Sequence, residues 1–463
     1  MRKKPIIKTY QPQGVFLPEN IERTMSLKQQ RILNGRSMFD DEQFRKGFDS
    51  KTLFYDIFFR SSWLICIGPP FYSIGNPLAI KHRGKNLRYK AICGYHIAMA
   101  ALIYIKIDKR EFPTEIEFIF KKFTLKVFCT CQDNIHLDHS TISLLSLQKD
   151  NSLIWIKDWC RWHIRVHGVG RIFLYDNASS YWANLSERLA ELEETVEIIL
   201  VPWHYKYGPV IPGAEIYRFC RSGVLNHFRL LFGHQNAWCI NLDIDEFLYS
   251  NSHLPLEQYL ALPKNLASTA IGLPCYLFPR GQQLDKNPPR FYHSQFRYRP
   301  SYYNPLKAPK YICQPQLVKI MDNHRVYLQT WKLFMVAILF QKTSFFSLVN
   351  KIYRRFNWVY SKLLLLLLLL KTPNFFSRTK KQQLLPQDSL KMDNPSSLFF
   401  FFHFRDLYTD WRKGKLYAKQ IKNQHINLTA PENLVKDRRA IDKAIEVGMI
   451  TESEVMANNK SLP

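Results

Sequence analysis

TISLLSLQKDNSLIWIKDWCRWHIRVHGVGRIFLYDN, residues 141–177, decides the fold class. TISLLSLQ is a short apolar run that stops at Asp150-Asn151, which predicts a buried strand and a turn. Trp155, Trp159, Trp162 and Val166 then recur at helical spacing, with Lys157, Arg161 and Arg165 on the outer face and Gly168 as the stop. RIFLYDN, 171–177, is a second strand ending in Asp176-Asn177. The alternation continues downstream. A helix opens at Asn184, with Glu187 as capping-box partner and Leu185, Leu189 and Leu192 as its apolar stripe. VEIILV, 196–201, is a third strand stopped by Pro202, and Ala214 to Phe232 reads as a long helix. AWCINLDIDEFL, 237–248, reads as a fourth strand. Strand and helix in strict alternation predict an α/β fold, a mostly parallel sheet with helices on both faces. Ligands bind such sheets beyond the carboxyl ends of the strands, where Asp150, Asp176, Asp243 and Asp245 collect.

In the fourth strand Trp238, Ile240, Leu242 and Ile244 alternate with Cys239, Asn241, Asp243 and Asp245. Alternation sends Asp243 and Asp245 to one face, side by side. Carboxylates this close repel unless a cation joins them. A hard divalent ion does so and leaves places for phosphate oxygens, whose charge it neutralises. The competing reading is a surface loop with incidental acids. There is no phosphate-binding G-x-x-x-x-G-K-[ST] loop, no H-E-x-x-H and no G-x-S-x-G elbow.

Around this core the chain divides into five stretches. Residues 1–50 are basic and expected to be loosely ordered. Residues 51–135 alternate apolar and polar in runs such as LFYDIFF and IEFIF, predicting a small β-rich domain. Residues 136–330 carry the α/β pattern, 331–397 read as a basic, leucine-rich insertion, and 398–463 return to the main domain and a helical tail. The insertion holds eight consecutive leucines, 363–370, and the cluster Lys351, Arg354, Arg355. Slippage in a repetitive coding sequence and a basic amphipathic membrane-surface element both account for it.

The 463 residues are 46% hydrophobic and 22% charged, a globular composition. The formal net charge of +27 calls for an anionic partner or a solubility role. From Trp331 to Gln387 there are ten Lys and Arg and no acid, so much of the excess lies away from the acidic strand ends. That placement argues against nucleic acid and allows peripheral contact with an acidic membrane through 331–387. Nine scattered cysteines, with Cys129 and Cys131 the only close pair, suit reduced thiols in a cytoplasm rather than a disulfide framework or a zinc site. The basic start lacks the apolar stretch of a secretory leader, and no run reaches the ~20 apolar residues that span a bilayer.

DNSLIWIKDWCRWHIRVHGVGRIFLYDNASS, followed by WCINLDIDEFL, resembles the bacterial glycosyltransferases related to family 92 and family 2. Their pattern is an acid turn, then W…H…GV…YDN.S, then DIDEF. The likeness covers about Thr141 to Pro279, with a weaker return near Phe399–Lys415. It implies a GT-A, Rossmann-like fold, a nucleotide-sugar donor such as a UDP-sugar, and Mn²⁺ (or Mg²⁺). It places Asp150, Asn151, Asp176, Asn177 and Ser179 at the nucleotide, and Asp243 and Asp245 at the metal. Glu246 matches the acid that follows and is the candidate base, or an anchor of the turn. His324 and His403 would complete the metal shell or touch diphosphate; as imidazoles they could equally be structural. Arg405 and Arg412 could face phosphate, and His163 reads as structural. The chain departs from the pattern in Asp150-Asn151, where relatives carry Asn-Glu, and in Tyr181, where an acid is expected and a ring could stack on a base.

The resulting expectation is a metal-dependent hexosyltransferase, inverting, that acts in polysaccharide synthesis. Its acceptor would be a hydroxyl of a glycan or glycolipid. The alternatives are a basic membrane- or nucleic-acid-binding protein on an α/β scaffold, and a decayed, inactive transferase.

Overall fold

The computed structural model describes residues 4–24, 42–93, 100–130, 135, 137, 141–209, 218–251, 254–266, 268–278, 298–300, 310–324, 326–328, 399–404, 434–436 and 438–454. Its centre is a seven-stranded sheet. In chain order the elements that build it and the site are β1 (Ile6–Thr9), β2 (Ile142–Gln148), α1 (Leu153–His167), β3 (Arg171–Asp176), α2 (Trp182–Ala190), β4 (Glu197–Pro202), α3 (Phe219–Leu231), β5 (Trp238–Asn241), β6 (Glu246–Ser250), β7 (Ala270–Leu273), β8 (Cys275–Phe278), β9 (Lys310–Cys313) and β10 (Phe399–Phe404). The spatial order of the sheet is β1-β4-β3-β2-β5-β9-β7. The first five strands are mutually parallel; β9 runs antiparallel to both its neighbours.

The strands are apolar on both faces because both are covered. Leu144, Ile172, Leu174, Ile198, Leu200 and Ile240 pack with Ile156, Trp159 and Trp162 of α1 and Leu185 and Leu189 of α2. Their chain neighbours Leu145, Phe173, Tyr175, Ile199, Val201 and Cys239 pack on the other side with Val224, Leu225, Phe228 and Leu231 of α3. The period-two alternation of a strand divides each apolar run between two cores. Gly168, at φ 65°, closes α1 in the left-handed conformation that glycine takes without strain.

Three expectations are corrected. The stretch 1–50 is not loose throughout: IIKT forms β1 on the sheet edge, with Ile6 opposite Glu197 and Thr9 opposite Leu200. Helix α2 opens at Trp182 rather than Asn184, with no side-chain cap at Tyr181. The stretch 237–248 is two strands, because β5 ends at Asn241 and β6, starting at Glu246, joins a separate sheet with β10 and β8. The N-terminal part of the helix expected over 214–232 falls partly outside the described residues, and α3 itself runs Phe219–Leu231.

Residues 56–106 and 79–129 supply two antiparallel four-stranded sheets, as the alternating runs predict. Leu53, Phe54, Ile57, Leu64, Cys66, Ile103, Ile116 and Phe118 fill the core around them. Cys129 is buried there with no disulfide, its thiol pushed up to about 12 by burial; Cys131 lies outside the described residues. The insertion 331–397, with its leucines and basic cluster, also lies outside them. Among the described residues no helix is long and apolar enough to cross a membrane.

Candidate active site

The acids Asp243, Asp245 and Glu246 occupy a tight turn at the carboxyl end of β5. The Glu246 amide donates to the Asp243 carbonyl at 3.0 Å, and the Asp243 amide donates to Oε2 of Glu246 at 2.8 Å. These reciprocal bonds close the turn. They bring the three carboxylates together, each offering an oxygen within 4.8 Å of the others. Strand alternation is therefore not what pairs Asp243 with Asp245; a turn does it and recruits Glu246 as well.

Helix α1 fixes this turn from behind. Trp159 Nε1 donates to the Glu246 carbonyl at 3.0 Å, and Trp162 Nε1 donates to that of Leu248 at 2.7 Å. His163 accepts from the Leu248 amide at Nε2 (3.2 Å) and donates from Nδ1 to the Trp159 carbonyl (2.8 Å). His167 Nε2 donates to the Leu248 carbonyl at 2.6 Å. The aromatic stripe read as core thus grips the first residues of β6, and His163 is structural.

Among the described residues, Arg221 and Lys310 meet Asp243, and Lys310 also meets Glu246. Arg221, on α3, donates from Nη2 to Oδ1 of Asp243 at 2.5 Å. Lys310, at the start of β9 and only 1% exposed, lies 3.1 Å from Oδ2 of Asp243, 2.9 Å from Oε2 of Glu246 and 3.3 Å from Oδ1 of Asn323. Burial alone would raise the Asp243 carboxyl; Arg221 and Lys310 outweigh it and hold it well below the usual carboxylate range. Sequence reasoning missed Arg221, Lys310 and Asn323. The one signal for Lys310 is a lysine opening an otherwise apolar strand, KYIC.

The nucleotide candidates form a second cluster one strand away. Strand β2 lies between β3 and β5, with Gln148 opposite Asp176. Asp176 is fully buried: Oδ1 accepts from the Ser179 amide at 2.8 Å, and Oδ2 accepts from the side-chain Nε2 of Gln148. Burial raises its carboxyl above the ordinary range against those hydrogen bonds. Asp150, at φ 49°, accepts from the Ser180 amide and hydroxyl, at 2.8 and 3.0 Å, while its own amide donates to Ser179 Oγ. The Asn151 amide approaches Gln148 Oε1 at 3.4 Å. Asn177 also holds the neighbouring loop. Its side-chain nitrogen donates to the carbonyls of Trp203 and Tyr205, both at 2.7 Å, and fastens the loop after β4. Tyr181 likewise donates to the Asn151 carbonyl at 2.5 Å and ties two loops together. His204, 42% exposed and 3.9 Å from Asp176, stands edge-on to Trp182 at the mouth of this cluster, a pair with no motif to mark it.

His324 is half-buried, its Nε2 2.7 Å from Nδ2 of Asn323, the residue whose Oδ1 meets Lys310. His403 sits in β10 directly across the ladder from Glu246; its side chain, and all of Arg405 and Arg412, lie outside the described residues. The acid turn offers a compact set of hard oxygen donors, which fits Mg²⁺ or Mn²⁺.

Residues 153–347 match the sequence model of Glycosyltransferase family 92, a span that includes α1, the acid turn, Arg221 and Lys310. No curated protein matches the chain. Among matching solved structures is the apo form of the bifunctional glycosyltransferase WbbM, 14% identical over 32% of this chain and 25% of that one, with a TM-score of 0.23. The chain thus spans about a quarter of that protein's length.

Proposed function

We propose that the protein, whose residues 153–347 match the model of glycosyltransferase family 92, transfers a sugar from a nucleotide-sugar donor, a UDP-sugar, to a hydroxyl of a glycan or glycolipid, using a divalent cation held at the acid turn. The observation that carries this reading is the position of the turn: three clustered carboxylates within the family segment, at the carboxyl end of a parallel sheet.

Asp243 and Asp245 would hold the cation, Mn²⁺ or Mg²⁺, which when bound neutralises charge on a departing diphosphate. Glu246 keeps the turn closed through the Asp243 amide and Lys310. The Asp176–Asp150–Ser179 cluster at the neighbouring strand ends is the surface on which a nucleoside would rest. Inversion at the sugar carbon, which the family resemblance points to, needs a base for the acceptor's proton. Cytoplasmic action at the inner face of a membrane would suit the basic stretch 331–387.

The test is UDP binding by calorimetry, with and without Mn²⁺, on the wild type and on Asp245→Asn. Manganese-dependent binding that is lost in the variant supports the donor site. A folded wild type that binds no UDP under either condition sinks the reading.

A further inference from the structure

We propose that Lys310 and Arg221 are built-in counter-cations of the acid turn, which hold it closed without metal and set how readily a divalent cation enters. The proposal rests on reading the turn as the metal site. Both oxygens of Asp243 are engaged, Oδ1 by Arg221 and Oδ2 by Lys310. The same Oε2 of Glu246 that receives the Asp243 amide receives Lys310. A cation arriving at Asp243 therefore competes with charges already in place, rather than meeting three bare carboxylates.

The two counter-cations are not equivalent. The Lys310 side chain is 1% exposed, extends from a central strand and also meets Asn323, so it cannot withdraw into water. The Arg221 side chain is 17% exposed, reaches in from α3 and hydrogen-bonds Asp243 through Nη2. Lys310 is thus a fixed positioning residue that links Asp243 to Glu246, and Arg221 is the exchangeable partner. Removing either positive charge makes the turn more negative and favours a divalent ion.

Mn²⁺ binding, read by the spin-resonance signal of the free ion and by calorimetry without nucleotide, tests this on the full chain. Lys310→Met should bind Mn²⁺ at least tenfold tighter than the wild type. Arg221→Gln should shift the same way by a smaller factor, and Lys310→Arg should stay near wild type. Lys310→Met should also melt lower without metal and gain more from added Mn²⁺ than the wild type does. Arg221→Gln, at the rim of the turn, keeps the test open if Lys310→Met does not fold. Wild-type binding with equal or weaker affinity in both charge-removing variants overturns the counter-cation role and leaves the transferase reading standing. Binding by the variants but not the wild type supports the role. Absence of Mn²⁺ binding in every folded protein overturns the counter-cation role and the reading of the turn as a metal site on its own, and UDP binding with Mn²⁺ then decides the transferase reading separately.

Discussion

The ammonium of Lys310 lies 2.9 Å from Oε2 of Glu246, the same oxygen that accepts the Asp243 amide. One buried oxygen therefore joins β9 to the turn between β5 and β6, and the geometry of the acids depends on it. Glu246→Ala would strand the Asp243 amide and remove one buried ion-pair partner. Loss of one partner of such a pair costs about 3–5 kcal/mol. Glu246→Gln keeps an acceptor for the amide and should cost less, about 1–3 kcal/mol. Urea unfolding of the two variants checks the order; equal losses would place the effect elsewhere.

Asp56 is buried where the antiparallel sheets meet the α/β core. Oδ2 accepts from the Tyr10 hydroxyl at 2.8 Å and contacts His227 Nε2 at 2.7 Å, and Oδ1 accepts from the Gln13 amide at 2.7 Å. His227 Nδ1 in turn meets the Tyr175 hydroxyl at 2.7 Å. Asp56→Ala should cost at least about 3 kcal/mol, by leaving several buried donors unpaired. Tyr10→Phe, which removes a single donor, should cost about 1 kcal/mol. Denaturant midpoints read both.

His163 and His167 are fully enclosed and neutral. Burial pushes His163 down to about 3, helped by His167, and His167 down to about 4. In the unfolded chain each titrates near pH 6.5. Between that pH and about 4 the unfolded state binds protons that the fold refuses. Stability therefore falls as pH falls, by up to about 1.4 kcal/mol per unit for each imidazole. Asp243, held low by Arg221 and Lys310 against its burial, acts in the same direction: its contribution is present above the ordinary carboxylate range and is lost as pH falls through its depressed value. Melting temperatures from pH 7 to pH 4 should drop steadily, and His167→Gln should make the drop shallower between about pH 6.5 and about pH 4. An unchanged slope in that variant counts against the assignment.

Gly223, in α3, faces Tyr55 across the two layers. A methyl group there would stand 2.6 Å from Tyr55 Cε2 and 3.3 Å from Trp203 Cζ2. Both rings are fully buried and cannot move aside, so Gly223→Ala should destabilise by about 1–3 kcal/mol through overpacking, despite alanine's better helix propensity. A variant of equal or greater thermal stability would contradict this packing.

Much of the sheet was legible because its signals are local. The apolar runs at 142–148, 171–176 and 197–202 and the aromatic stripe of α1 announce themselves within a few residues. Where the pattern misled, two local signals competed. Trp238 to Asp245 alternates perfectly, yet β5 stops at Asn241 because the Asp243 amide and Glu246 carboxylate bond to each other and end the ladder. IIKT at 6–9 is too short and too near a basic terminus to read as a strand; only the free edge of β4 makes it one.

The sequence by itself determined the alternating α/β order and the acid-rich run Asp243-Ile244-Asp245-Glu246, and its central segment matches the sequence model of glycosyltransferase family 92. Only the tertiary structure decided how those acids are compensated. Arg221 stands 22 positions from Asp243 and Lys310 stands 67 positions away, and neither lies in a motif. Charge compensation depends on distance in space, which α3 and the antiparallel β9 set by packing beside β5, and no spacing along the chain encodes it.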